Sequence, residues 1–87
     1  MMVRWDKGGE AELVMITMDK VAVLSTVPSP PGSRIEGTLS LEGEVRLRMK
    51  VHSCRLDAEG RFRIEGRPLD LTKAVLTRVA GEPPANR

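Results

Sequence analysis

The sequence predicts a small all-β domain: an antiparallel barrel followed by one short C-terminal helix. Three observations carry this expectation. Residues 34–41, 44–56 and 61–69 alternate apolar and polar side chains with a period of two, which marks strands with one wet face. Clusters of Pro, Gly and Asp punctuate the chain between apolar stretches. A single stretch of helical period follows the last alternating segment. Successive short strands and then one helix indicate a closed or half-closed antiparallel barrel capped by that helix. With 87 residues the chain makes one domain with a modest core.

The elements follow in order. Residues 1–9 are polar, and Gly8 and Gly9 break the chain, so this segment reads as a flexible arm. Residues 10–18 contain Leu13, Val14, Met15 and Ile16 in a row, which reads as a strand buried on both sides. Asp19 and Lys20 interrupt it, and residues 20–27 form a second strand rich in Val and Leu. Ser29, Pro30, Pro31 and Gly32 make a turn, because proline fixes φ and glycine accepts positive φ. In the third strand Ile35, Gly37, Leu39 and Leu41 face inward. Arg34, Glu36, Thr38 and Ser40 face outward.

Glu42 and Gly43 turn the chain into residues 44–56, with Val45, Leu47, Met49 and Val51 inside. Leu56 has the opposite parity, so the pattern slips and a β-bulge is expected near Cys54. Residues 57–60 close a hairpin. Phe62, Ile64 and Gly66 of the last strand then point inward. Thr72 reads as a helix N-cap, Ala74, Val75, Leu76, Val79 and Ala80 as an amphipathic helix, and Gly81 as its stop. The barrel domain is expected over residues 10–81, with a disordered tail at 82–87.

Composition removes several function classes. One cysteine permits no internal disulfide and suits a reducing compartment. No apolar run approaches the roughly 18 residues of a membrane span, and the first residues lack a signal-peptide core. A cytoplasmic location is expected. The net charge of +2 does not by itself imply nucleic acid, and Trp5 and Phe62 are the only aromatic residues. Stacking on single-stranded nucleic acid or sugars needs more of them. Neither a nucleophile motif, a phosphate loop nor a dinucleotide fingerprint occurs, so no enzyme activity and no cofactor are expected. His52 and Cys54 are two ligand types at strand spacing, too few for a metal site. His52 reads as a surface residue and Cys54 as a small apolar filler.

One constellation stands out. If residues 44–56 and 61–69 pair as a hairpin, Arg46, Arg48, Lys50, His52, Arg61, Arg63 and Arg67 gather on one outer face, with Glu65 as the main counter-charge. In the simplest register Leu56 lies opposite Arg61, His52 opposite Glu65 and Lys50 opposite Arg67. This basic face suits an anionic ligand or an acidic protein surface. It equally suits a solvated barrel wall carrying solubility charges.

Three stretches also resemble the PilZ domain family. They are T-M-D-K-V-A-V-L at 17–24, V-P-S-P-P-G-S-R-I-E-G-T-L at 27–39, and R-F-R-I-E-G-R-P-L-D-L at 61–71 followed by Thr72. The resemblance covers roughly residues 10–80 and implies a six-stranded barrel. PilZ domains are often receptors for cyclic di-GMP. They use an Arg-x-x-x-Arg arm, whose guanidinium groups grip phosphate and guanine, and a [DN]-x-S-x-x-G loop. Here Arg4 has Gly8 four residues on in place of the second arginine. Met15, Thr17 and Lys20 stand at the three loop positions. Methionine cannot replace an acid or amide as a hydrogen-bonding group.

The resemblance thus implies a degenerate member: a non-catalytic adaptor acting through protein contacts in bacterial signalling or motility. Cyclic di-GMP and nucleic acid are not expected partners. The alternatives are a cyclic di-GMP receptor with a non-standard site and a small-barrel nucleic-acid binder.

Overall fold

The computed structural model describes residues 1–40 and 43–80. Six strands and one helix follow in order: β1 Met2–Trp5, β2 Glu10–Ile16, β3 Val21–Ser25, β4 Arg34–Ser40, β5 Glu44–Leu56, β6 Phe62–Leu69 and α1 Lys73–Ala80. The strands close into an antiparallel barrel of order β1-β2-β3-β6-β5-β4. It consists of two three-stranded meanders. Pairing of β1 with β4 and of β3 with β6 closes them on each other. The all-β barrel with a C-terminal helix is therefore as expected.

The first segment differs from expectation. Residues 1–9 are not a flexible arm, because Met2–Trp5 form the strand that closes the barrel. Val3 and Trp5 point into the core and are buried, while Met2 and Arg4 face out. Gly8 and Gly9, both at positive φ, shape the tight turn into β2. The amide of Trp5 donates to the Gly9 carbonyl at 3.0 Å. The Trp5 indole donates to Ser25 Oγ at 2.9 Å, and Ser25 Oγ in turn donates to the Val27 carbonyl at 2.6 Å. Every polar atom of this buried pair has a partner, as burial requires.

The second segment is not buried on both faces either. A bulge between Leu13 and Met15 turns Val14 outward, where it is 45 % exposed. Leu13, Met15 and Ile16 are half-buried, and with Val79 of α1 they line one groove. The strand buried on both sides is β3: Val21, Ala22 and Val23 are all inaccessible.

The remaining alternation holds among the described residues, and the expectations for Leu41 and Glu42 lie outside them. Ile35, Leu39, Leu47, Met49, Val51 and Ile64 fill the barrel. Ser29 and Ser33 share a hydrogen bond at 2.8 Å in the Pro-Gly turn, which pins to β5 through Gly32 N to Val51 O and Val51 N to Ser33 O. Thr72 Oγ1 accepts from the Val75 amide at 3.2 Å, the N-cap geometry expected for α1. The Gly81 stop and the tail at 82–87 lie outside the described residues.

Candidate functional site

The outer wall of β4, β5 and β6 carries the charges that the sequence groups together. Pairing of β5 with β6 sets their register. Lys50 lies opposite Arg67 as expected. The bulge falls between Val51 and Ser53, so from there the register moves by one. Ser53, and not His52, faces Glu65, and Leu56 faces Phe62, and not Arg61. The bulge leaves His52 exposed on the surface. Cys54 lies opposite Ile64, half-buried against the core. The two do not share a face. Among the described residues no cluster of His, Cys, Asp and Glu is arranged to hold a metal ion.

The basic face divides into two kinds of residue. Arg46 makes a fork-to-fork pair with Asp6, Nη1 to Oδ1 at 2.9 Å and Nη2 to Oδ2 at 2.6 Å, and also reaches Glu36 at 3.2 Å. This hydrogen bonding holds the Asp6 carboxyl below its ordinary pKa and raises that of Arg46. Arg48 pairs with Glu36 at 3.3 Å and with Asp70. Arg61 bonds Glu59 at 2.9 Å, and Glu12 lies 3.7 Å away. Arg63 Nε donates to Glu65 at 2.7 Å, and Lys20 approaches the same carboxylate at 3.5 Å. Glu65 is held below its ordinary pKa, chiefly by Arg63 and next by the charge of Lys20. These four arginines are largely neutralised in place.

Lys50 and Arg67 are different. Neither has an ion-pair partner among the described residues. Pairing of β4 with β5 adds a third cation, because Arg34 lies directly opposite Lys50. Arg34, Lys50 and Arg67 thus form one row across three strands, all exposed. Strands sit about 4.8 Å apart, so the row packs three like charges into roughly 10 Å. Directly opposed like charges cost on the order of a few tenths of a kcal/mol per pair. Arg34 was legible as an outward residue. It joins the face only through the pairing of β4 with β5.

The positions to which the PilZ resemblance points are not gathered. Arg4 lies opposite Glu10 at one end of β2, while Thr17 follows the other end. Seven residues of strand separate these ends by about 20 Å. The Thr17 hydroxyl is already engaged, accepting from the amides of Asp19 and Lys20 at 3.1 and 3.0 Å. Met15 is half-buried and lies opposite Ala22, and Lys20 is drawn to Glu65. No described helix is long and apolar enough to cross a membrane. No protein-family model, curated protein or solved structure matches the chain.

Proposed function

We propose that this chain is a non-catalytic, PilZ-like adaptor that docks an acidic protein surface on the row Arg34–Lys50–Arg67, as a part of bacterial signalling or motility assemblies. The observation that carries this reading is the contrast on one wall. Arg46, Arg48, Arg61 and Arg63 each have a carboxylate, and the three cations of the row have none among the described residues. Solubility charges need no such crowding, and an anionic partner relieves the repulsion on binding. At the row Lys50 is paired on both sides, with Arg34 and with Arg67, so a partner meets its centre through side chains.

The test is binding of a fluorescent polyglutamate peptide, followed by anisotropy, to the wild type and to the triple variant Arg34→Glu, Lys50→Glu, Arg67→Glu. All three side chains are exposed, so the variant is expected to keep its strand-rich circular dichroism and lose the peptide. Retained binding overturns the reading. A random-sequence oligonucleotide that binds more tightly, with log affinity falling nearly one unit per phosphate contact against log salt, replaces it with a nucleic-acid reading.

A further inference from the structure

Two more arginines meet on the same wall nearer the β5–β6 turn, one paired with a carboxylate and one without. Arg55 faces Arg63 directly. Between this pair and the row stands Glu65, opposite Ser53. Ser53, Arg55, Leu56, Asp57, Arg63 and Glu65 line a cleft of about 270 Å³.

Both carboxylates of this cleft are engaged. Asp57 Oδ1 accepts from the amides of Glu59 and Arg61 at 2.8 and 2.9 Å, which caps the turn. These two bonds hold its carboxyl below its ordinary pKa. Glu65 binds Arg63 Nε and so fixes the plane of that guanidinium. The Nη1 and Nη2 atoms of Arg63 have no hydrogen bond to a described residue, and Arg55 has no ion pair among the described residues. At the rim Leu56 is 65 % exposed, the most exposed large apolar side chain described. At about 270 Å³ the cleft has room for one or two side chains.

We infer that this cleft is a second anchor point of the docking surface. It takes an acidic side chain of an extended partner segment, and Leu56 receives an apolar residue beyond it. This rests on the adaptor reading, since the segment's other acid lies on Arg34–Lys50–Arg67. Arg63 and Arg67 are four residues apart on β6, about 13 Å along an extended chain, so the two acids of the partner are also four residues apart. Glu65 lies midway and repels an acid at the central position, which gives the surface a spacing preference as well as a charge preference.

Anisotropy titrations with three peptides of equal length test this. One carries two acids four residues apart with a neutral centre, one carries the same acids side by side, and one adds a third acid at the centre. The spaced peptide is expected to bind about ten-fold more tightly than the adjacent one. Arg55→Ala, an exposed substitution, is expected to weaken the spaced peptide about five-fold and leave the adjacent one unchanged. The central acid is expected to weaken binding in the wild type and not in Glu65→Gln. Equal affinity for the spaced and adjacent peptides, or a spaced peptide indifferent to Arg55→Ala, overturns the second anchor point. If the triple reversal Arg34→Glu, Lys50→Glu, Arg67→Glu still abolishes both peptides in that case, the adaptor reading stands without it. If the triple reversal abolishes neither, the adaptor reading itself fails.

Discussion

Gly66 points into the barrel at a place where the Lys50 carbonyl oxygen fills the space that a Cβ would need. Backbone cannot give way as a flexible side chain can, so the position admits only hydrogen. Gly66→Ala is expected to destabilise the fold on the order of 1–3 kcal/mol, read as a lower urea midpoint at unchanged slope. A midpoint equal to that of the wild type contradicts the close approach of β5 and β6 here. Alternation alone places Gly66 inward. The collision depends on the close approach of two strands, with Val51 opposite Gly66 just before the bulge at His52. Trp5 shows a different gap. Its indole finds Ser25 from a distance of 20 residues in sequence, a pairing that no local pattern encodes. The same holds for Arg46 with Asp6, 40 residues apart. The cations of the wall were legible one by one. Glu65 was legible as a counter-charge, two residues from Arg63, but Asp6 and Asp70 were not, because they come from turns distant in sequence from Arg46 and Arg48.

Elements were legible where turn chemistry and periodicity agreed. The hairpin around residues 57–60, the Pro-Gly turn and the N-cap at Thr72 all lie where local rules put them. β1 was missed although its signal is present: Val3 and Trp5 alternate with Met2 and Arg4 ahead of Gly8-Gly9. Four residues are too few to outweigh a polar-looking N-terminus. The apolar run of β2 misled for another reason. A bulge and the packing of α1 give its outer face a use that a bare run cannot distinguish from full burial. If β1 closes the barrel, a chain starting at Glu10 leaves β2 and β4 with open edges and no Trp5. That truncation is expected to abolish cooperative urea unfolding and to promote aggregation. A flexible arm could be removed without either effect, so a sharp, unshifted transition contradicts the described role of β1.

At the scale of the whole molecule, fold stability and the charged wall share the same carboxylates. Asp6, Asp57 and Glu65 are all held below their ordinary pKa values, by Arg46, by turn amides and by Arg63 respectively. A carboxyl whose folded pKa lies below its unfolded one leaves the unfolded chain binding more protons, so stability rises with pH across that interval. These contributions are fully present above about pH 5, beyond the ordinary carboxylate range, and fade as pH falls through the depressed folded values. Protonation also removes the partners of Arg46 and Arg63, so cations now balanced repel one another across the same sheet. The urea midpoint is therefore expected to fall steadily from pH 5 to pH 2. Added salt should recover part of the loss, because exposed charges are screened within a Debye length. Asp57→Asn keeps a carbonyl oxygen for the two turn amides and removes the titrating group. It is expected to be less stable than the wild type at pH 7 and to converge with it at pH 2. A constant difference across that range would mean that Asp57 acts through shape alone, and a urea midpoint unchanged from pH 5 to pH 2 would mean that the charge-balanced wall does not govern acid unfolding.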